Sequence, residues 1–217
     1  MVENKLYRYS KMYYIVSIDD DDKPAFDVVN YVNNELEMGT TFCKKIEIDS
    51  VNGWNNAFAE ILEDSSSRSI PILFLECHGS RNGTIVFGGR NSTERIRMKD
   101  FIAQIKLLED RCEQKILFAT AICYGLAFFK KIAKLEKDSP CSCVIGTYTT
   151  QSRFDIEKRY KLFFKKLLQR NGGVNVKTAF LAMKRAYTSN SIMKRWAEGQ
   201  RYVILTSRRS YYLPKDC

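Results

Sequence analysis

The chain has 217 residues, of which 45% are hydrophobic and 28% charged, as in typical globular proteins. Its longest apolar run, residues 70–75, is far too short to span a bilayer. Residues 1–11 hold no apolar stretch and no small-residue cleavage site, so we predict no signal peptide, no membrane contact and a cytoplasmic location. The length suits one domain, which we expect to cover residues 1–217.

The cysteine and histidine content argues against a metal site or a disulfide framework. There are seven cysteines, none of them in a Cys-x-x-Cys pair, and one histidine. Structural zinc sites and disulfide-rich scaffolds need paired or clustered cysteines. We therefore expect no metal, no cofactor, and cysteines that are mostly buried free thiols in a reducing compartment.

The net charge of +10 is concentrated near the C-terminus. Residues 150–217 carry a net charge of +12, whereas residues 1–149 carry −2. A basic segment of this kind can bind nucleic acid, dock an acidic protein, or simply be a solvated helix face. No nucleic-acid-binding motif accompanies it, so we do not expect nucleic acid and favour an activating or regulatory protein partner.

The hydrophobic pattern alternates between strand and helix along the chain. Continuous or β-branched apolar runs predict strands, and apolar residues at three- and four-residue spacing predict helices. In chain order, we predict a strand at 12–18, a helix at 24–36, a strand at 41–48, a helix at 54–62, a strand at 70–77, a hairpin arm at 83–89, a helix at 99–108, a strand at 115–122, a helix at 124–135, a strand at 143–149, helices at 156–168 and 176–187, and an edge strand at 202–206. This order predicts an α/β fold with three layers, α/β/α, around a mostly parallel sheet.

Two neighbouring buried strands are followed by residues that can carry chemistry. The strand at 70–77 leads into His78 and Gly79, and the strand at 115–122 leads into Cys123. Carboxyl ends of parallel strands meet at one edge of a sheet, so His78 and Cys123 can face one cleft. A thiol that attacks a carbonyl needs an acid for the leaving amine and backbone N–H donors for the oxyanion. Either residue alone would more often be structural, so the pairing carries the hypothesis.

The blocks PILFLECHGS and KILFATAICYG resemble the two catalytic blocks of the caspase-like clan of cysteine peptidases. That clan includes caspases, metacaspases, separases, gingipains and CHAT domains. Its members place His-Gly after one apolar strand and the catalytic cysteine after the next. Residues 144–187 are similar to the CHAT pattern of a strand, an aromatic-rich helix, a Gly turn and an Ala-rich helix, so the resemblance spans roughly residues 12–190.

The resemblance implies a single CHAT-type peptidase domain that cleaves proteins with a His-Cys dyad. Cys123 would attack, the amides of Gly79 and Cys123 would hold the oxyanion, and His78 would protonate the leaving amine. We expect Glu76 to point away from His78 and assign it no role. Related bacterial domains imply a regulated effector of an immune or death pathway. The alternatives are an inactive member that serves as a protein-binding module, and a basic nucleic-acid binder.

The specificity pocket of that clan carries a charge opposite to the substrate residue before the scissile bond. One contributing loop follows the first strand and here contains four aspartates at 19–22. We predict cleavage after Arg or Lys, with Asp19 or Asp20 as the pocket acid and Asp155 as the alternative. If Arg153 points inward, an acidic residue is favoured instead, and an apolar pocket with solvated aspartates is the third possibility.

Overall fold

The computed structural model of the chain has an α/β fold. It describes residues 9–18, 24–36, 38, 41–89, 91–113, 116–123, 125, 127–128, 143–147, 153–168, 179, 202–206 and 209–211.

The strands form a mostly parallel sheet. Their bounds are β1 Tyr9–Ser17, β2 Cys43–Glu47, β3 Ile70–Gly79, β4 Ile85–Val86, β5 Leu117–Ala121, β6 Cys143–Thr147, β7 Tyr202–Thr206 and β8 Arg209–Tyr211. Across the described residues, the order is β2-β1-β3-β5-β6-β7-β8, and β4 pairs with β3 outside this path. The first five of these strands are parallel, whereas β7 pairs antiparallel with β6, and β8 pairs antiparallel with β7. The prediction of an edge strand at 202–206 is wrong in one respect, because β8 pairs outside β7 and forms the edge.

Helices cover both faces of the sheet. They are α1 Pro24–Asn30, which continues into a π-helical segment Tyr31–Glu35, α2 Val51–Asp64, α3 Met98–Cys112 and α4 Arg153–Leu167. The predicted helix at 124–135 is described only at residues 125, 127 and 128, which are helical, and the one at 176–187 only at helical residue 179. None of the helices in the described part of the chain has the length and apolar character needed to cross a bilayer.

Two apolar clusters sandwich the sheet and establish the predicted three-layer arrangement. On one face, Trp54 of α2 stacks on Phe101 of α3 with ring centroids 5.6 Å apart. On the other face, Phe74 of β3 meets Tyr160 of α4 at 4.9 Å, within the cluster that also contains the buried residues of α1. Strand β3 is apolar from Ile70 to Leu75 because alternate side chains enter opposite clusters, as expected of a parallel strand between two helix layers.

The connections reverse direction between the carboxyl ends of β1 and β3. The chain leaves β1 through α1 toward β2, on the α1/α4 face of the sheet. It leaves β3 in the opposite direction through α3 toward β5, on the α2/α3 face. Where connections diverge in this way, open parallel sheets form ligand sites outside the strand ends.

Candidate active site

The predicted histidine lies at the carboxyl end of β3. The sequence predicted that this strand ends at residue 77, but it extends through His78 to Gly79. The extension exists because the short strand β4 folds back and pairs antiparallel with it, His78 opposite Val86 and Gly79 opposite Ile85. Backbone pairing with β4 therefore holds His78 in an extended conformation at the edge of the sheet.

Gly79 packs directly against the candidate nucleophile. A methyl group built on Gly79 would overlap the carbonyl oxygen of Cys123 and lie 2.5 Å from Cγ2 of Ile122. Nonbonded carbon atoms do not approach that closely, so only glycine fits here. The structure thus brings together the segments that carry the predicted residues His78, Gly79 and Cys123, although 45 positions separate the histidine and the cysteine in the chain.

The amide of Gly79 is oriented toward the β5 side of β3. Successive N–H groups of a strand point to opposite edges. The Ser80 N–H donates to the Thr84 carbonyl at 3.2 Å, on the β4 side, so the Gly79 N–H points the other way. β4 and β1 lie on the same side of β3, because the Gly88 N–H, just beyond β4, donates to Ser17 Oγ of β1 at 2.8 Å. A donor aimed toward the chain that leaves β5 suits an oxyanion that develops beside Cys123.

The segment that includes β4 closes the α2/α3 side of the strand ends. Gly88, at a φ of 76°, packs against the Asp49 carbonyl just beyond β2. The segment from β4 to Gly88 therefore crosses the ends of β3, β1 and β2. Phe87 is fully buried and stacks on Trp54 at 5.7 Å. This burial fixes the segment as a wall of the site.

A second contact ties this wall to the helical turn behind Cys123. Gly83 has a φ of 69°, and a methyl group there would lie 2.8 Å from the Ala127 carbonyl. The turn around it is held by the Gly83 N–H, which donates to the Ser80 carbonyl at 2.9 Å. The loop after His78 and the turn after Cys123 are consequently packed as one unit.

Cys123 differs from the other cysteines whose side chains the structure describes. Cys43, Cys77 and Cys112 are buried, whereas Cys123 is partly exposed. Burial raises the pKa of the Cys43 thiol to about 12. Burial also raises the pKa of the Cys77 thiol, with smaller contributions from Glu76 and Cys123. It raises the pKa of the Cys112 thiol as well. Thiols that are buried and protonated are poor nucleophiles, so Cys123 is the best-placed nucleophile of this described set.

Glu76 is a site residue that the sequence interpretation missed. Its side chain is 2% exposed, accepts a hydrogen bond from the Tyr14 hydroxyl, and accepts another from the Ala25 N–H at 3.2 Å. The expectation that it points away from His78 is wrong, because residues two apart in a strand lie on the same face. Correct use of that alternation would have found it from the sequence. Burial and, secondarily, Glu76 raise the pKa of Tyr14.

The predicted specificity residues fall largely outside the described structure. Asp19 and Asp20 follow β1 but are not among the described residues. The backbone of Asp155 lies in the first turn of α4, and its side chain, like that of Arg153, is outside the described set. Asp19 and Asp20 nevertheless follow a strand whose last residue, Ser17, pairs with Cys77, next to His78.

Neither a metal site nor a relative identifies the chemistry. Within the described ranges, no three His, Cys, Asp or Glu side chains form a group that could hold a metal ion. No protein-family model matches the chain, and a search of curated proteins finds no match.

Proposed function

We propose that this protein is a cysteine endopeptidase of the caspase-like type, with Cys123 as the nucleophile and His78 as its acid–base partner. The observation that carries the proposal is the contact between Gly79 and the Cys123 backbone, which joins the two sequence blocks at one sheet edge. The three-layer α/β/α fold and the reversal of the connections between β1 and β3 support it.

In the proposed reaction, His78 takes the proton of the Cys123 thiol as Sγ bonds to the carbonyl carbon of the scissile peptide, and the carbonyl π electrons move to the carbonyl oxygen. The N–H groups of Gly79 and Cys123 hold that oxyanion. As the carbonyl re-forms, the C–N bond breaks and protonated His78 gives its proton to the leaving amine. Water then attacks the thioester while His78 takes its proton, and Cys123 is released with the new carboxylic acid.

The accessible surface of Cys123 supports its role over that of its neighbour Cys77. Both cysteines lie near the strand ends, but Cys77 is only 4% exposed and belongs to the α2/α3 core. A nucleophile must meet a substrate carbonyl at about 3–3.5 Å, which a core thiol cannot do.

We further propose a cytoplasmic protein substrate cut after Arg or Lys, and a role as an effector of a bacterial immune or death pathway. A sensor or regulatory protein would dock the basic C-terminal region. On α4, Lys165 is exposed while Phe163 and Phe164 are buried, so its charge can change without disturbing the core. Reversal of Lys165 and Lys166 to Glu should weaken docking and leave probe labelling of Cys123 intact. Full activity of the isolated monomer, with no partner co-purifying, would contradict docking.

A peptide-library cleavage assay tests the catalytic proposal. Wild type, Cys123→Ala, His78→Ala and the matched control Cys43→Ala are compared at equal folded concentration. Cys123→Ala should abolish turnover, and His78→Ala should lower it by about a hundredfold or more. Cys43→Ala should cleave as wild type does, because Cys43 lies in β2, away from the strand ends at issue.

Three outcomes would contradict the proposal. Normal cleavage by Cys123→Ala would exclude Cys123 as the nucleophile. A wild-type protein that neither cleaves peptides nor reacts preferentially at Cys123 with an electrophilic peptide probe would be an inactive protein-binding module. Binding to nucleic acid that weakens steeply with added salt would instead favour the basic nucleic-acid binder.

A further inference from the structure

We propose that Glu76 is a positioning residue for His78, fixing the end of β3 so that the imidazole is held beside Cys123. This inference rests on the proposed peptidase function and assigns a role to a buried carboxylate that the catalytic mechanism above does not use.

Glu76 occupies the point at which β3 leaves the main sheet. It is the last residue of β3 that pairs on both sides, with Val16 of β1 and Ala121 of β5. Among the described residues, Cys77 still pairs with Ser17, and His78 pairs with the two-residue strand β4. Two-stranded ribbons twist more than wide sheets, so a side-chain restraint at Glu76 adds to the pairing with β4 in setting the direction of the strand end.

The side chain of Glu76 supplies that restraint on the α1/α4 face. One carboxylate oxygen accepts from the Tyr14 hydroxyl of β1, and the other accepts from the Ala25 N–H in the first turn of α1. Burying a carboxylate is costly unless it is hydrogen-bonded, and these two contacts offset part of that cost for Glu76, which is 2% exposed. The result is a clamp that joins β3 to β1 and to α1.

Alternation transmits this restraint to the histidine. Glu76 and His78 are two residues apart in the same strand, about 6.6 Å along its axis, and their side chains lie on the same face. The opposite face at this level is occupied by Cys77, which belongs to the α2/α3 core. The imidazole and the clamp therefore share the α1/α4 side of the sheet.

Four variants test the clamp in the full-length protein. Glu76→Ala removes both hydrogen bonds, and Tyr14→Phe removes one of them. Glu76→Gln can retain both, since its carbonyl oxygen accepts from Ala25 and its amide can donate to the Tyr14 oxygen. The matched control is Tyr13→Phe, which removes the bond from the adjacent tyrosine to Asp64 Oδ2, 2.9 Å long, on the other face of the sheet.

The expected result is a split between kcat and KM. Glu76→Ala should lower kcat by roughly a hundredfold, as misplacement of a catalytic group by about 1 Å can do, with KM almost unchanged. Tyr14→Phe should show a smaller loss, and Glu76→Gln and Tyr13→Phe should keep the wild-type kcat. A merely structural role predicts instead that kcat follows stability across all four variants, with Tyr13→Phe as impaired as Tyr14→Phe, and that result overturns the proposal.

The histidine itself gives a readout that does not depend on activity. The chain has one histidine, so selective carbon-13 labelling of the imidazole gives a spectrum of His78 alone. Glu76→Ala should shift and broaden that signal, while Tyr13→Phe should leave it unchanged. An unchanged signal in Glu76→Ala overturns the clamp even if activity falls. If wild type proves to have no peptidase activity, the proposed function fails, but this spectrum still decides whether Glu76 fixes the ring.

Discussion

Gly79 at the end of β3 lies in contact with the backbone carbonyl of Cys123, which follows β5, and leaves no room for a side chain between them. Because His78 precedes this glycine and the Cys123 thiol belongs to the contacted residue, their backbones are fixed relative to one another. A proposed dyad built on two separate loops would lack this restraint.

Replacing Gly79 with alanine should therefore damage the site more than the fold. The added methyl must displace the Cys123 carbonyl, so we expect turnover to fall by roughly a hundredfold. Overpacking of this kind typically costs about 1–3 kcal/mol of stability. Peptide cleavage and thermal unfolding measure the two effects.

Gly53→Ala is the matched control for that substitution. Gly53 lies in the first turn of α2, and a methyl group there would meet nothing nearer than the Ile48 Cβ at 3.3 Å. Its cleavage activity should remain at the wild-type level. If Gly79→Ala also cleaves normally, the contact between Gly79 and Cys123 has no part in activity.

Alkylation should single out Cys123 among the cysteines whose side chains are described. With iodoacetamide near neutral pH, Cys123 should react first, because Cys43, Cys77 and Cys112 are buried and hold their protons. Peptide mapping by mass spectrometry assigns each label, and Cys123→Ala should lose the rapid phase. Rapid native-state labelling of Cys77 would instead show that the strand ends are more open than the structure has them.

Local patterns predicted the strands that build the sheet, but not how their ends are completed. β3 and β5 were predictable because a strand covered on both faces is a continuous apolar run. The extension of β3 to Gly79 was not, since the predicted hairpin arm at 83–89 does not by itself show that its two-residue strand β4 pairs with β3. α2 begins at Val51, three residues before its predicted start, because Ser50 Oγ accepts from the Gly53 N–H at 3.1 Å.

In the candidate site too, some features follow from local sequence patterns and others depend on contacts between distant residues. Apolar strands followed by His-Gly and by Cys predicted that the two blocks meet, since parallel strand ends share an edge. The wall formed by Phe87 and Gly88 depends on contacts with Trp54 and Asp49, which lie far away in sequence. Such contacts carry no periodic signal, so only the structure shows that this segment covers the strand ends.

Alkaline pH should destabilise the fold through its buried thiols, and Cys43 allows one contribution to be isolated. Its pKa is about 12 in the folded protein and 9.0 when unperturbed, so its stabilisation is complete below pH 9 and is lost as pH rises toward 12. The free energy of unfolding should fall between pH 8 and pH 10 in both proteins. That fall should be smaller in Cys43→Ala than in wild type by about 1.4 kcal/mol.

Urea unfolding under reducing conditions at pH 8, 9 and 10 makes this comparison. Cys77, Cys112 and Tyr14, whose pKa values are also raised by burial, remain in both proteins and cancel in the difference. Parallel curves for wild type and Cys43→Ala would mean that the Cys43 thiol titrates alike in the folded and unfolded chains.

Specificity is the feature of the proposed peptidase most open to a decisive test. Asp19 and Asp20 follow β1, whose end pairs with β3 beside His78, and Asp155 lies in the first turn of α4. A carboxylate that pairs with a substrate guanidinium gains charge-assisted hydrogen bonds. If the substrate residue is neutral or acidic, the carboxylate stays unpaired, and leaving it so costs several kcal/mol by order of magnitude. Fluorogenic substrates with Arg, Lys, Asp or Leu before the leaving group should therefore be cut fastest at Arg or Lys.

Aspartate-to-asparagine variants then locate the pocket, because they keep the size of the side chain and remove its charge. Preference for Arg should disappear in the double variant Asp19→Asn, Asp20→Asn and persist in Asp155→Asn. The reverse result would move the pocket acid to the start of α4. Fastest cleavage at Asp would instead mean that Arg153 faces the substrate, and fastest cleavage at Leu would mean an apolar pocket with the aspartates in solvent. Either outcome would contradict the predicted preference while leaving the roles of His78 and Cys123 untouched.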